Sequence, residues 1–201
     1  MGLLRDLKME RTRQQIVDVA VDLFLTKGFE ETTMEEIAER AEVGSTTLYR
    51  YFPSKDLIII EPFRTIFHLG DALRERPDDE PLSESLGALV IGDAASSPDD
   101  TEKFQALRRI IDDNPGPRAR FWDLFFQGRD HLASALAERM GEDPTAPNVL
   151  VTAMIVLSVL GIALDRWRAG DHSLSRAAIA EQVIDEVDHM HFVLPRPPKT
   201  S

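Results

Sequence analysis

The 201-residue chain contains no cysteine. That removes disulfide scaffolds, zinc–thiolate sites and thiol nucleophiles, and it suits a reducing cytoplasm. No apolar run reaches the roughly 20 residues of a membrane span. The longest, VLVTAMIVLSVLGIAL from Val149 to Leu164, also holds Thr152, Ser158 and Gly161. It reads as a helix buried inside protein, so no membrane partner is expected. The N-terminus, MGLLRDLKMERTRQQ, carries charges where a signal peptide has its apolar stretch. No P-loop, nucleophile elbow or dinucleotide-binding glycine pattern occurs, and no acid–base pair stands out among the 35 Asp/Glu. No catalytic residue and no cofactor is therefore expected. His189 and His191 form His-x-His, but residues two apart on a helix point in different directions and no third ligand is evident, so no metal site is expected.

A basic excess is also missing. The net charge of −12 argues against non-specific nucleic-acid binding, yet a total conceals its distribution. Residues 1–55 hold eight Lys/Arg against ten Asp/Glu, so this first quarter is nearly neutral and the rest carries most of the negative charge. Hydrophobic residues make up 43% of the chain, enough for a sizeable core.

Nearly every periodic segment reads as helix, and no strand-like alternation appears. The first helix is expected from about Met9 to Lys27, with Ile16, Ala20, Leu23 and Phe24 on one face and Gly28 as its stop. Thr33 and Glu36 form a capping box for a second helix of about two turns, and Gly44 is expected to take the backbone angles of the tight turn that follows. A third short helix lies in VGSTTLYRYFPSK, Val43 to Lys55, which holds both tyrosines of the chain. Leu48 and Phe52 share its inner face, Thr46, Thr47 and Arg50 point away, and Pro53 ends it. A fourth helix is expected from Lys55 to about Arg76, kinked or divided near Ile59 to Glu61 by Pro62. Further helices are expected over Leu82–Ala95, Thr101–Asp112, Pro117–Met140, Asn148–Ala169 and Ser175–Phe192, followed by a disordered PRPPKTS tail.

Three helices with a tight turn before the last match a helix-turn-helix, whose final helix lies in the DNA major groove. Arg50 can reach guanine acceptors, Thr46 and Thr47 can meet bases, and Ser45, Tyr49, Tyr51 and Lys55 can donate to phosphates. Other readings remain open: the tyrosines as half-buried packing, Lys55 as a solvated lysine, Thr33 as a cap alone and Arg50 as a phosphate contact. The successive elements RQQIVDVAVDLFLTKGFEETT, MEEIAERAEV and TTLYRYFPSKDLI, over Arg13 to Ile58, resemble the DNA-binding domain of the TetR-type (tetracycline-repressor) transcriptional regulators. The resemblance places phosphate binding on Thr33, Thr47, Tyr49, Tyr51 and Lys55, and base reading on Ser45, Thr46 and Arg50. The chain departs from the pattern at Glu42, Gly44 and Tyr51, where the family often has Gly, Ser and His.

The resemblance implies an all-α protein: a three-helix helix-turn-helix domain over residues 1–55, a helical effector-binding and dimerisation domain over 56–194, and a tail over 195–201. It implies a homodimeric, cytoplasmic repressor that binds a near-palindromic double-stranded operator and is released by a small hydrophobic effector. Alternatives are an activator or dual regulator of the same family, or an enzyme with a vestigial DNA-binding domain. Val149–Leu164, apolar nearly all round, and a stripe of Ile179, Val183, Val187 and Met190 are expected to meet a second copy. Phe121, Trp122, Phe125 and Phe126, with Phe104, Leu107, Met154 and Leu157, are expected to line the ligand pocket unless they are simply core, with Arg118, Gln127 or His131 as polar anchors.

Overall fold

The computed structural model describes residues 2–96 and 101–191, together with Val193 and Pro195. Phe192 and most of the expected tail lie outside the described residues. All regular structure among the described residues is helical. The helices are α1 (Gly2–Thr26), α2 (Met34–Arg40), α3 (Ser45–Tyr51), α4 (Lys55–Ile60), α5 (His68–Arg74), α6 (Leu82–Ser96), α7 (Thr101–Asp113), α8 (Pro115–Met140), α9 (Pro147–Ala169) and α10 (Arg176–Asp188).

Local chemistry sets the boundaries. Gly28, with φ at +100°, follows the last turn of α1 in a conformation open to glycine. The hydroxyl of Thr33 accepts the Glu36 N–H at 3.2 Å and opens α2. The Glu36 carboxylate lies 2.5 Å from Lys27 Nζ. That bond, with a smaller contribution from the Thr33 amide, holds its pKa below the usual carboxylate value. α2 closes with the Glu42 N–H on the Glu39 carbonyl (3.1 Å) and the Val43 N–H on the Ala38 carbonyl (3.0 Å), which is a Schellman motif. Its left-handed residue is Glu42, with φ at +52°. Gly44 has φ at −67° and caps α3 without a side chain. The turn expected at Gly44 is thus made two residues earlier, because the six-to-one bond needs the positive φ directly after the helix.

The helix expected from Lys55 to Arg76 is two helices. Pro62 has no N–H for the Ile58 carbonyl and its ring crowds that oxygen. α4 therefore stops at Ile60, the backbone runs as a 3₁₀ segment over Glu61–Phe67, and α5 starts at His68.

Two apolar cores result. The first gathers Ile16, Leu23 and Phe24 of α1, Ile37 of α2, Leu48 and Phe52 beneath α3, and Ile58 of α4, and it also takes Leu107 and Ile111 from α7 and Leu124 from α8. The second is built from α5, α6, α9 and α10 with the later half of α8, including Leu132 and Leu136. At 1.5 Å per residue the 26 residues of α8 extend about 39 Å, long enough to serve both. α5 and α8 approach closely at Gly70, where a Cβ would lie 2.6 Å from the His131 ring and 2.9 Å from its carbonyl.

The α10 stripe faces its own core. Val183 is buried there and Ile179 and Val187 pack against it, while Met190 is exposed beyond the helix end. α6 and α9 pack on its inner side, leaving Ile179 and Val187 half-buried. α9 keeps an uncovered outer face of Val151, Met154, Ile155 and Ile162, opposite its buried Ala153, Val156 and Leu160.

A left-handed Glu is strained by about 1–2 kcal/mol, partly offset by the extra unfolded-state freedom of glycine. Glu42→Gly should therefore stabilise the protein by about 0.5–1 kcal/mol, read as a higher urea midpoint at unchanged slope. A lower midpoint would show that the turn draws on the Glu42 side chain.

Candidate nucleic-acid interface and ligand cavity

Leu48 is fully buried and Phe52 nearly so, which presses the inner face of α3 into the first core. The opposite face is therefore fixed outward, with Ser45, Thr46, Tyr49 and Arg50 exposed and Thr47 and Tyr51 half-buried. Tyr51 packs against the first core and the Arg50 guanidinium stands 5.8 Å from its ring. Tyr49 Oη donates to Glu35 Oε1 at 3.3 Å, and desolvation followed by the Glu35 charge raises its pKa. Thr33 remains at the cap of α2, with its hydroxyl committed to the Glu36 amide.

Lys55 differs from the sequence expectation. Its ammonium donates to the carbonyls of Phe29 (2.7 Å), Glu30 (3.1 Å) and Thr32 (3.3 Å), and lies 4.5 Å from the Phe29 ring centroid. All three N–H donors have acceptors within the protein. Lys55 ties the start of α4 to the loop between α1 and α2, a contact that sequence spacing could not reveal.

The second site is a cavity of about 800 Å³ between the two cores. Phe104, Phe121, Trp122, Phe125 and Leu157 line it as expected from the sequence. Three expected residues are elsewhere. Leu107 is buried in the first core, while Phe126 and Met154 are substantially exposed and do not line the cavity. On α8, Phe126 follows the lining Phe125 and points about 100° away from it, whereas on α9 Met154 lies a turn before the first lining residue, Leu157. The expected anchors are also elsewhere. Arg118 donates to the Asp112 carbonyl, Gln127 borders a separate cleft, and His131 Nε2 lies 2.9 Å from Asp71 on the α5–α8 seam. The polar groups present are Gln105, Arg108, Arg109, Arg168, Arg176, Asp93 and Asp165.

Phe63 joins this wall from the 3₁₀ segment, its ring 4.6 Å from Phe104 and 5.5 Å edge-on from Phe121. Two residues before it, Glu61 accepts a bidentate pair from Arg13 of α1, at 2.6 and 2.7 Å. That pairing raises the pKa of the Arg13 guanidinium, which lies 4.5 Å from the Phe52 ring centroid. One short irregular segment therefore touches both the cavity and the helix that supports the reading face.

The family model for bacterial regulatory proteins of the tetR type matches residues 16–61, and that for the MftR C-terminal domain matches residues 80–190. The transcriptional regulator TcmR of Streptomyces glaucescens is 35% identical across 92% of this chain and 86% of its own length. The chain belongs to the TetR family. It is a transcriptional regulator with a helix-turn-helix DNA-binding domain followed by a helical C-terminal domain. MftR of Mycobacterium tuberculosis, named as a putative mycofactocin biosynthesis regulator, is 27% identical over 78% of this chain and 79% of its own length. Among solved TetR-like structures, FadR of Bacillus subtilis in complex with stearoyl-CoA superposes with a TM-score of 0.60 at 21% identity, covering 89% of this chain and 99% of that one. NalD of Pseudomonas aeruginosa gives 0.61 at 20% identity, covering 89% and 94%. At that identity the likeness concerns the fold.

Lys55→Ala removes three charge-assisted bonds and should cost about 1–3 kcal/mol of stability, measured by thermal or urea unfolding. Unchanged stability together with a DNA affinity whose salt slope flattens by about one ion would instead assign Lys55 to the phosphates.

Proposed function

We propose that the protein is a homodimeric, cytoplasmic repressor without catalytic activity, which leaves a near-palindromic operator when a small effector enters the cavity between its cores. The observation that carries this reading is the continuity of Phe63, Pro62 and Glu61: a cavity-wall ring, a break in the helix and an ion pair to α1 within three residues. An effector that displaces Phe63 turns the 3₁₀ segment, and the Arg13–Glu61 pair passes that turn to α1 and so to α3. Coupling of about 1–3 kcal/mol changes operator affinity by roughly 5- to 150-fold.

The outer face of α9 supports the dimer. Val151, Ile155 and Ile162 recur at helical spacing and are between 42% and 56% exposed, an apolar stripe suited to a second copy about a two-fold axis. Two copies place their reading helices about 34 Å apart, one turn of duplex. The exposed and half-buried side chains of α3 suit the division of labour expected from the sequence, with Ser45, Thr46 and Arg50 toward bases and Thr47, Tyr49 and Tyr51 toward phosphates.

Selection of DNA from a random pool by the purified protein is expected to return a palindrome with half-sites about one turn apart. On that sequence Arg50→Ala should cost roughly 1–3 kcal/mol of affinity and relax preference at one position of each half-site. Unchanged affinity and preference in this variant would remove Arg50 from base reading. A pool that returns no symmetric site would overturn the dimeric reading.

A further inference from the structure

The cavity walls carry a charge balance unlike that of the chain. Four arginines and two aspartates line them, in a protein whose net charge is −12. Arg108 and Arg109 are consecutive on α7, while Arg168 and Arg176 come from the end of α9 and the start of α10, so three helices deliver cations to one apolar space. Two are laid on aromatic faces: the Arg108 guanidinium 4.0 Å from the Phe121 ring centroid, and that of Arg176 4.2 Å from Trp167. A stacked guanidinium carries its N–H donors around the edge of its plane, the geometry that receives a carboxylate or phosphate in bidentate fashion. Internal acids compensate only in part. Arg108 pairs with Asp112 at 3.0 Å and Arg168 with Asp165 at 2.9 Å, whereas Arg109 is exposed and has no partner among the described residues. Burial raises the pKa of the remaining lining acid, Asp93, against a smaller opposing pull from His68.

Taking this cavity as the effector site, we propose that its ligand is an anionic amphiphile, an apolar body seated on the Phe63–Phe121–Phe125 wall with a carboxylate, sulfonate or phosphate group held at Arg108 and Arg109. Gly161 of α9 provides a way to close the space, because it lines the cavity and a Cβ there would meet nothing within 4 Å.

The test uses two fluorescent probes of similar shape. One is 1-anilinonaphthalene-8-sulfonate, which is anionic, and the other is N-phenyl-1-naphthylamine, which is neutral. In fluorescence titrations of the full-length protein the anionic probe is expected to bind about tenfold tighter or more. The double variant Arg108→Gln/Arg109→Gln should bring the two affinities together by weakening the anionic probe alone. Gly161→Trp, with Gly161→Leu as a milder filler, should weaken both, separating cavity binding from adhesion to the α9 face. Displacement of the anionic probe by laurate or by dodecyl phosphate, and not by dodecanol, distinguishes a carboxylate from a phosphate head. Equal or tighter binding of the neutral probe, or a full preference surviving in the arginine variant, overturns the anionic ligand and leaves the cavity as an effector site. Binding of neither probe, or binding of both that Gly161→Trp leaves untouched, removes the effector site itself.

Discussion

The arrangement depends on the pairing of Arg13 with Glu61 across the break in the backbone at Pro62. Proline denies the chain one helical hydrogen bond, and the resulting 3₁₀ segment is held by side chains instead. On one side it is gripped by a two-pronged guanidinium–carboxylate contact to α1, with both side chains about one-fifth to one-quarter exposed. On the other it is seated by the Phe63 ring against Phe104 and Phe121. A continuous helix here would move as a rod. A short 3₁₀ segment is held instead by specific side-chain contacts on both sides.

Much of this was legible in residue order, for identifiable reasons. Periodicity at three and four residues exposed the inner faces of α1 and α3, because Ile16, Ala20, Leu23 and Phe24, and likewise Leu48 and Phe52, serve one local core. Thr33 with Glu36 and the proline at 62 marked a helix start and a break through rules that need only neighbours. What was hidden depends on distance in sequence. Lys55 finds its carbonyl acceptors 23 to 26 residues upstream, and Arg13 finds Glu61 48 residues downstream. The aromatic residues of the cavity could be named because they cluster, but Phe63, Arg109 and Arg176 come from three separate elements and no spacing rule unites them. Leu107, Phe126 and Met154 were misplaced because apolar character does not say which of two adjoining spaces a side chain enters.

The distribution of charge makes a related point. A net charge of −12 describes neither the DNA-binding domain nor the cavity. The first 55 residues are close to balanced, with Arg50 exposed on α3 while Glu35 is engaged by Tyr49. The cavity carries an excess of arginine over aspartate. The remaining acids spread over the outside of the helical domain, where they favour solubility and discourage non-specific adhesion to nucleic acid.

The long α8 has a consequence for how the molecule comes apart. Its Leu124, together with Leu107 and Ile111 of α7, completes the floor beneath α1 and α4, so the head that contacts DNA borrows its foundation from chain synthesised much later. A ribosome-bound or proteolytic fragment ending near residue 55 would expose that floor to water and lack the apolar contacts that hold its helices in register. The core beneath the reading helix is therefore complete only once the chain has been made as far as Leu124 of α8.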